Sequence, residues 1–348
     1  MKLLLYADLQ ATDGAAACYH DPTVKLQHWR TTRFFDALRD IYEAKGCSGL
    51  IDLGDTTDDR SAIPVPTINA VLDGLRPFNG GFNLKLVGNH EQYLRDASVH
   101  VGKLFENTFQ VIDKWEEIKS PVNNDVYIFI SYPCNYTDLQ NYLIDVTTRW
   151  RGHRMVLFGH FQVFGCMMNS GLSTHGVPRD LLAPFKAGFL GHVHKPQNVN
   201  KNIYYVGSPF QQDFGESGED KRVAIFDCET LTTEWVSLMD HGFPRYLTVT
   251  VPEWLEQVAE GSEDRFKVIL TSQADAEKLY AHPLCNRVEP VYNYEQAATG
   301  VYKDKAESWC FNDILARWVK NNPPKEAGIE LDAVEMLEIG TEIAHGET

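Results

Sequence analysis

Five short motifs stand in order along two thirds of the chain, and each closes an apolar run that reads as a β-strand. Asp8-Leu9-Gln10 follows Leu3-Leu4-Leu5-Tyr6-Ala7, and Gly54-Asp55 follows Leu50-Ile51-Asp52-Leu53. Gly88-Asn89-His90-Glu91 follows Leu84-Lys85-Leu86-Val87. Gly159-His160 follows Met155-Val156-Leu157-Phe158, and Gly191-His192-Val193-His194 follows Ala187-Gly188-Phe189-Leu190. Short apolar runs of this length read as strands. Open α/β sheets bind ligands beyond the carboxyl ends of their strands. The motifs therefore predict side chains converging on one sheet edge. A lone Gly-His or Gly-Asp says almost nothing, and a single histidine is more readily a packed core residue. The order and shared setting of all five carry the argument.

Carboxylate, imidazole and amide oxygen are ligands for ions such as manganese, iron and zinc. Two ions about 3.5–4 Å apart need a bridging ligand. Asp55, at a strand end behind Gly54, suits that place. Asp8, His194 and Gln10 would complete one ion, and Asn89, His160 and His192 the other. His90, beside Asn89, is placed to give a proton to a leaving oxygen. His175, in Ser173-Thr174-His175-Gly176, either lines a substrate cleft or belongs to a loop. His20, His28, His100, His153, His241, His282 and His345 have no such setting and read as surface or packing residues. There is no Gly-x-x-x-x-Gly-Lys-Ser/Thr, so P-loop ATP hydrolysis is not expected of this chain.

The 348 residues suit one large domain and a smaller one, and 43% hydrophobic content supports a core. A net charge of −16 argues against broad nonspecific nucleic-acid binding by the chain alone. It leaves a nuclease open, because bound divalent ions are strong local positive charges. Seven scattered cysteines without a CxxC spacing fit a reducing cytoplasm. No apolar run approaches the ~18 residues of a membrane span, and the apolar start is too short for a signal peptide.

Residues 30–43, 65–75 and 139–150 read as helices. After the last motif, 203–206, 223–226 and 234–238 read as strands of a second sheet packed on the first. A boundary is expected near His241-Gly242-Phe243-Pro244. The expected division is 1–242 for the motif-bearing domain, 243–303 for a small α+β module and 304–348 for a tail. In the tail, Phe311, Ile314, Leu315, Trp318 and Val319 mark an amphipathic helix. Asn321-Asn322-Pro323-Pro324 stops it, and 331–343 reads as a second helix. Two such short helices make a helical hairpin, which packs on its own domain or closes a homodimer.

In these residues the chain resembles the calcineurin-like metallophosphoesterase superfamily. Within it, the chain is similar to the SbcD-type DNA nucleases, especially the recombination nuclease subunit of tailed bacteriophages. The narrower likeness rests on Thr174-His175-Gly176, Tyr205-Val206-Gly207-Ser208-Pro209, Phe214-Gly215-Glu216, Asp220-Lys221-Arg222 and the tail hairpin. It implies an α/β sandwich of two sheets flanked by helices, a DNA-capping α+β module and a hairpin that holds an SbcC-like ATPase. Asp8, Asp55, Asn89, His160, His192 and His194 match the family's metal ligands, and His90 its proton donor. Two divalent ions are implied, manganese first, with magnesium, iron or zinc as alternatives. The implied activity is DNA exonuclease and possibly endonuclease action in end processing, recombination or host DNA degradation. A homodimer in a bacterial or phage-infected cytoplasm, with no membrane, is implied as well.

Two positions depart from the family pattern. Gln10 stands where a histidine is usual, and a neutral amide oxygen is the weaker ligand. Glu91 replaces the commoner aspartate, as in serine/threonine phosphatases of the superfamily. Asp58 falls where some relatives have a second catalytic histidine. The rival expectations are a phosphomonoesterase of the same fold and a non-catalytic scaffold.

Overall fold

The computed structural model describes residues 1–120, 123–168, 171–173 and 175–293. In chain order the strands are β1 (Lys2–Tyr6), β2 (Gly49–Asp52), β3 (Phe82–Leu86), β4 (Gln110–Ile112), β5 (Trp115–Lys119), β6 (Asp125–Ile130), β7 (Arg154–His160), β8 (Met167–Met168), β9 (Gly171–Leu172), β10 (Ala187–Gly191), β11 (Gln197–Asn198), β12 (Ile203–Tyr205), β13 (Arg222–Asp227), β14 (Thr232–Ser237), β15 (Tyr246–Thr250), β16 (Arg265–Leu270) and β17 (Val288–Tyr292). The helices are α1 (Leu26–Lys45), α2 (Val65–Leu75), α3 (Tyr136–Arg149), α4 (Val251–Gln257) and α5 (Gln273–Ala281).

One six-stranded sheet runs β14-β13-β1-β2-β3-β4 and the other β11-β12-β10-β7-β6-β5. The five apolar runs fall on β1, β2, β3, β7 and β10, the parallel heart of each sheet. Their alternation explains the unbroken apolar sequence. Leu3 and Leu5 enter the core between the sheets, whereas Leu4 and Tyr6 face the cluster that holds Phe34 and Leu38 of α1 and Val71 of α2. On the second sheet, Val156 and Phe158 point inward, and Leu157 joins the cluster with Leu139, Leu143 and Val146 of α3. Phe158 and Phe189 of the second sheet meet Phe226 of the first at 6.2 and 5.1 Å, so aromatic contact crosses from one layer to the other. The result is the expected α/β sandwich of two sheets flanked by helices. Gly46 at φ 62° ends α1, with its amide on the Glu43 carbonyl.

Two expectations need correction. The strands after the last motif do not build a sheet of their own: β13 and β14 complete the first sheet, and β12 joins the second. β13 has both faces buried, with Val223 and Ile225 toward α1 and Ala224 and Phe226 between the layers, so it suits only an inner place beside β1. The motifs also converge from both sheets, not from one edge.

A three-stranded sheet, β15-β16-β17, follows with α4 and α5. It is fastened to the segment before α1. The Glu263 carboxylate accepts the Tyr19 and His20 amides at 2.7 and 2.8 Å, and Arg265 donates to the Ala17 carbonyl at 2.7 Å. Cys18, His20 and Glu263 bring potential ligand atoms within 4.8 Å of one another. The carboxylate is already occupied by two amides and the His20 ring, so the trio acts as a clamp. Met1–Leu270 and Asp275–Val291 form one compact unit. The expected hairpin over 304–348 and the end of the α+β module lie outside the described residues. No helix among the described residues is long and apolar enough to cross a membrane.

Candidate metal centre

The loops leaving β1 and β2 run side by side. The amides of Asp8, Gln10 and Ala11 donate to the carbonyls of Gly54, Asp55 and Thr56 at 2.8–3.0 Å. Among the described residues, four of the six non-glycine positions with positive φ lie here: Asp8 (52°), Gln10 (47°), Asp55 (57°) and His192 (87°). Such conformations cost of order 1–3 kcal/mol each and persist where surrounding contacts enforce them. Strain gathered at the motif residues marks a site built for more than packing. Close approach also explains a glycine. A Cβ on Gly88 would sit 2.0 Å from the Asp55 carboxylate.

The side chains meet in the gap between the two sheets. Asp8, Asp55 and His160 place ligand atoms within 4.8 Å of one another, and all three are buried. His160 Nδ1 is 2.7 Å from the Leu53 carbonyl, which can only accept, so that nitrogen carries the proton. Its Nε2 then faces Asp55 Oδ2 at 3.3 Å and Asn89 Oδ1 at 3.2 Å. Three lone-pair groups pointing at one another require a proton or a cation between them. Asn89 Oδ1 also lies 2.7 Å from His192 Nδ1, and the His192 amide donates to Asp8 at 2.9 Å. Carboxylate, amide oxygen and imidazole form a donor set that fits divalent ions of the manganese, iron and zinc class.

Without ions the charges settle among themselves. Burial works against a charged His160, but the Asp55 and Asp8 carboxylates hold its proton to a pKa of about 9. Burial raises the Asp8 carboxyl above its ordinary range. His192 is pushed down to about 3 by burial and then by the neighbouring His160 charge, so it stays a neutral ligand.

Two buried lysines stand behind the cluster. Lys85 bridges Asp52 at 2.9 Å and Glu91 at 2.8 Å, and all three side chains are fully buried. Glu91 in turn accepts the amides of Asp55, Thr56 and Gly88, so one carboxylate ties two ligand loops together. Lys221 pairs with Glu216 at 2.9 Å and Glu219 at 2.8 Å and donates to the His194 carbonyl at 2.9 Å. Glu216 reaches His194 Nδ1 at 3.2 Å, which leaves His194 Nε2 for a ligand role.

His90 sits at the rim. Its amide donates to Asp55 Oδ1 at 2.9 Å, and its Nδ1 meets the Asp58 carboxylate at 3.0 Å and the Asp58 carbonyl at 2.9 Å. The Asp58 hydrogen bond raises the imidazole to about 9 against the opposing effect of burial. Asp58 thus lies on His90 as a positioning group. Gln10 is held beside Asp55 by its amide, which donates to the Asp55 carbonyl at 2.9 Å. His175 is not joined to the cluster: it is exposed, and no hydrogen bond or ring contact links it there among the described residues. The sequence reading passed over Lys85, Asp52, Lys221 and Glu216 as working residues. Signals were present: Lys85 and Asp52 each interrupt an apolar run, and Glu216 and Lys221 stand in segments that carry the narrower likeness.

No family model matches the chain. The chain has phosphoesterase relatives. It is 27% identical over 208 residues to the putative phosphoesterase 244L of Invertebrate iridescent virus 6, covering 56% of this chain and 71% of that protein. It is 24% identical over 274 residues to the putative phosphoesterase 078R of Invertebrate iridescent virus 3, covering 73% and 75%. Exonuclease subunit 1 of Enterobacteria phage T4 is 30% identical over 198 residues, covering 55% of this chain and 56% of that protein. The chain thus spans little more than half of the phage subunit. Among solved structures, a dimetal phosphatase from Danio rerio aligns at 13% identity with a TM-score of 0.41, over 65% of this chain and 95% of that one.

Proposed function

We propose that the chain is a two-metal DNA phosphodiesterase of the SbcD type within the calcineurin-like metallophosphoesterases, working as a homodimer with an SbcC-like ATPase. The observation that carries the reading is the convergence of Asp8, Asp55, Asn89, His160 and His192 from five strand ends, with His90 held beside them. Likeness to the phage exonuclease subunit supports DNA as the substrate. In this reading 1–242 is the nuclease domain, 243–303 caps the DNA and 304–348 holds the ATPase.

When bound, two divalent ions would neutralise phosphate charge and activate water near neutral pH. Asp55 would bridge them, with Asp8, His194 and Gln10 on one side and Asn89, His160 and His192 on the other. Manganese is the expected pair. The chain supplies the rest. Leu53 and Glu216 fix the ring orientations of His160 and His194. Asp58 keeps His90 protonated, so its free Nε2–H is available to the leaving oxygen. His90→Ala is expected to keep both ions by elemental analysis and to lose turnover about 10²–10⁴-fold. Unaltered turnover would remove His90 as the acid.

The decisive assay is cleavage of end-labelled single- and double-stranded DNA with manganese, magnesium or chelator, beside p-nitrophenyl phosphate. Manganese-dependent DNA cleavage without monoester turnover is expected. Monoester turnover alone would make the chain a phosphomonoesterase, and silence even with an SbcC-like ATPase would make it a scaffold. Deleting 304–348 should abolish ATPase binding in a pull-down.

A further inference from the structure

A cavity of about 690 Å³ opens directly beside the ligand cluster, with Asn89 on its wall. That volume lies in the range of sites for small organic ligands. Its chemistry contrasts with the rest of the chain. The net charge is −16, yet Arg60 and Arg95 both line this cavity. No ion pair holds either arginine among the described residues. A free guanidinium presents a planar fork of donors that matches phosphate oxygens. Aromatic rings stand with the arginines. Tyr93 is 59% exposed, and Tyr132 meets Tyr136 edge to face at 6.4 Å. Tyr132 also packs 5.3 Å from the His192 ring, so the aromatic wall continues into the ligand cluster. Gln92 donates to the Tyr132 carbonyl at 2.8 Å and ties the two walls together. A polynucleotide strand carries phosphates for the arginines and bases for the rings.

We propose that this cavity receives one unstacked nucleotide of a single DNA strand. The base lies against Tyr93 and Tyr132, and its flanking phosphate meets Arg60 and Arg95. The next phosphodiester is thereby set at the ligand cluster. The inference rests on the DNA phosphodiesterase reading above and names the form of DNA that the site takes.

Cys134 lines the same cavity and is exposed, whereas Cys18, Cys166 and Cys228 are buried. Cys134 can therefore report occupancy independently of catalysis. The full chain with manganese is alkylated with N-ethylmaleimide, with or without phosphorothioate oligothymidylate, and followed peptide by peptide. Binding is followed in parallel by fluorescence anisotropy. Saturating oligothymidylate is expected to slow Cys134 alkylation at least tenfold. The double variant Arg60→Ala, Arg95→Ala should weaken binding more than tenfold. It should also flatten the log–log salt dependence by about 0.7, the value for the one phosphate that the two arginines share. Tyr93→Ala should weaken binding about fivefold or more, as loss of one base stack does. Binding that leaves Cys134 unprotected, no binding at all, or an unchanged salt slope in the double variant would each overturn the proposal. Protection of Cys134 with no cleavage of unmodified DNA, even beside an SbcC-like ATPase, would instead overturn the phosphodiesterase reading and leave the subsite standing.

Discussion

The two buried lysines behind the centre do similar work by different means. Lys85 neutralises Asp52 and Glu91, and Glu91 grips backbone amides of the loops carrying Asp55 and Asn89. Lys221 neutralises Glu216, and Glu216 grips the ring of His194 itself. One half of the site is therefore held through the backbone of two ligand loops, and the other through the ring and the carbonyl of one ligand, His194. Backbone clamping fixes several ligands together but needs a dry, fully paired ion network. Side-chain clamping acts on one ligand and sets its tautomer. An uncompensated buried charge costs about 3–5 kcal/mol, so the first half should be the more brittle and the second the more tunable.

The largest effect should come from the residue the halves share. Asp55→Ala is expected to lose all turnover and both ions by elemental analysis; one ion retained at full occupancy would end its bridging role. Next, Lys85→Met leaves two fully buried carboxylates without their cation and should cost about 3–5 kcal/mol in urea denaturation. Lys221→Met should cost less, about 2–3 kcal/mol, because Glu216 keeps His194 and the Gln212 amide as partners. Equal losses would erase the contrast. Glu216→Gln, milder still, should weaken one ion about 10–100-fold and spare the other, as titration calorimetry would resolve.

The smallest effect is one of pH. His160 in the ion-free chain titrates near 9, above the ordinary 6.5. Its pairing with Asp55 therefore stabilises the ion-free fold fully below about pH 6.5, and this contribution fades as pH rises through about 9. Ion binding must displace that proton, so apparent affinity should climb by up to about one decade per pH unit over the same window. Parallel denaturation series with and without chelator would show the two trends diverging. Parallel trends would mean that His160 binds no ion.

Much of this was legible in the chain. The five strands were visible because burial on both faces leaves an unbroken apolar run, and their ligands because each follows a run. The partnership of strands was not. β1 pairs with β13, with Leu3 opposite Phe226, and nothing local to either run declares so distant a neighbour. The sequence reading therefore gave the late strands a sheet of their own. Lys85 was hidden for a related reason: a lysine usually marks solvent, and only the meeting of Asp52 and Glu91 makes a dry place for it. Glu91 looked like a clue to substrate, yet the fold uses it to join loops. The separation of His175 from the cluster likewise depends on a connection that local sequence does not fix.

Asp8, Asp55 and Asn89 ride on one sheet, whereas His160 and His192 ride on the other. Ions held among them would rivet the two layers at the top of the sandwich. Sliding one layer past the other by a single residue step, about 3.3 Å, would pull the ligands apart while most of the aromatic filling stayed in contact. Turnover would then fail before the fold does, so this candidate metal centre would double as a strain gauge for the seam on which it is built.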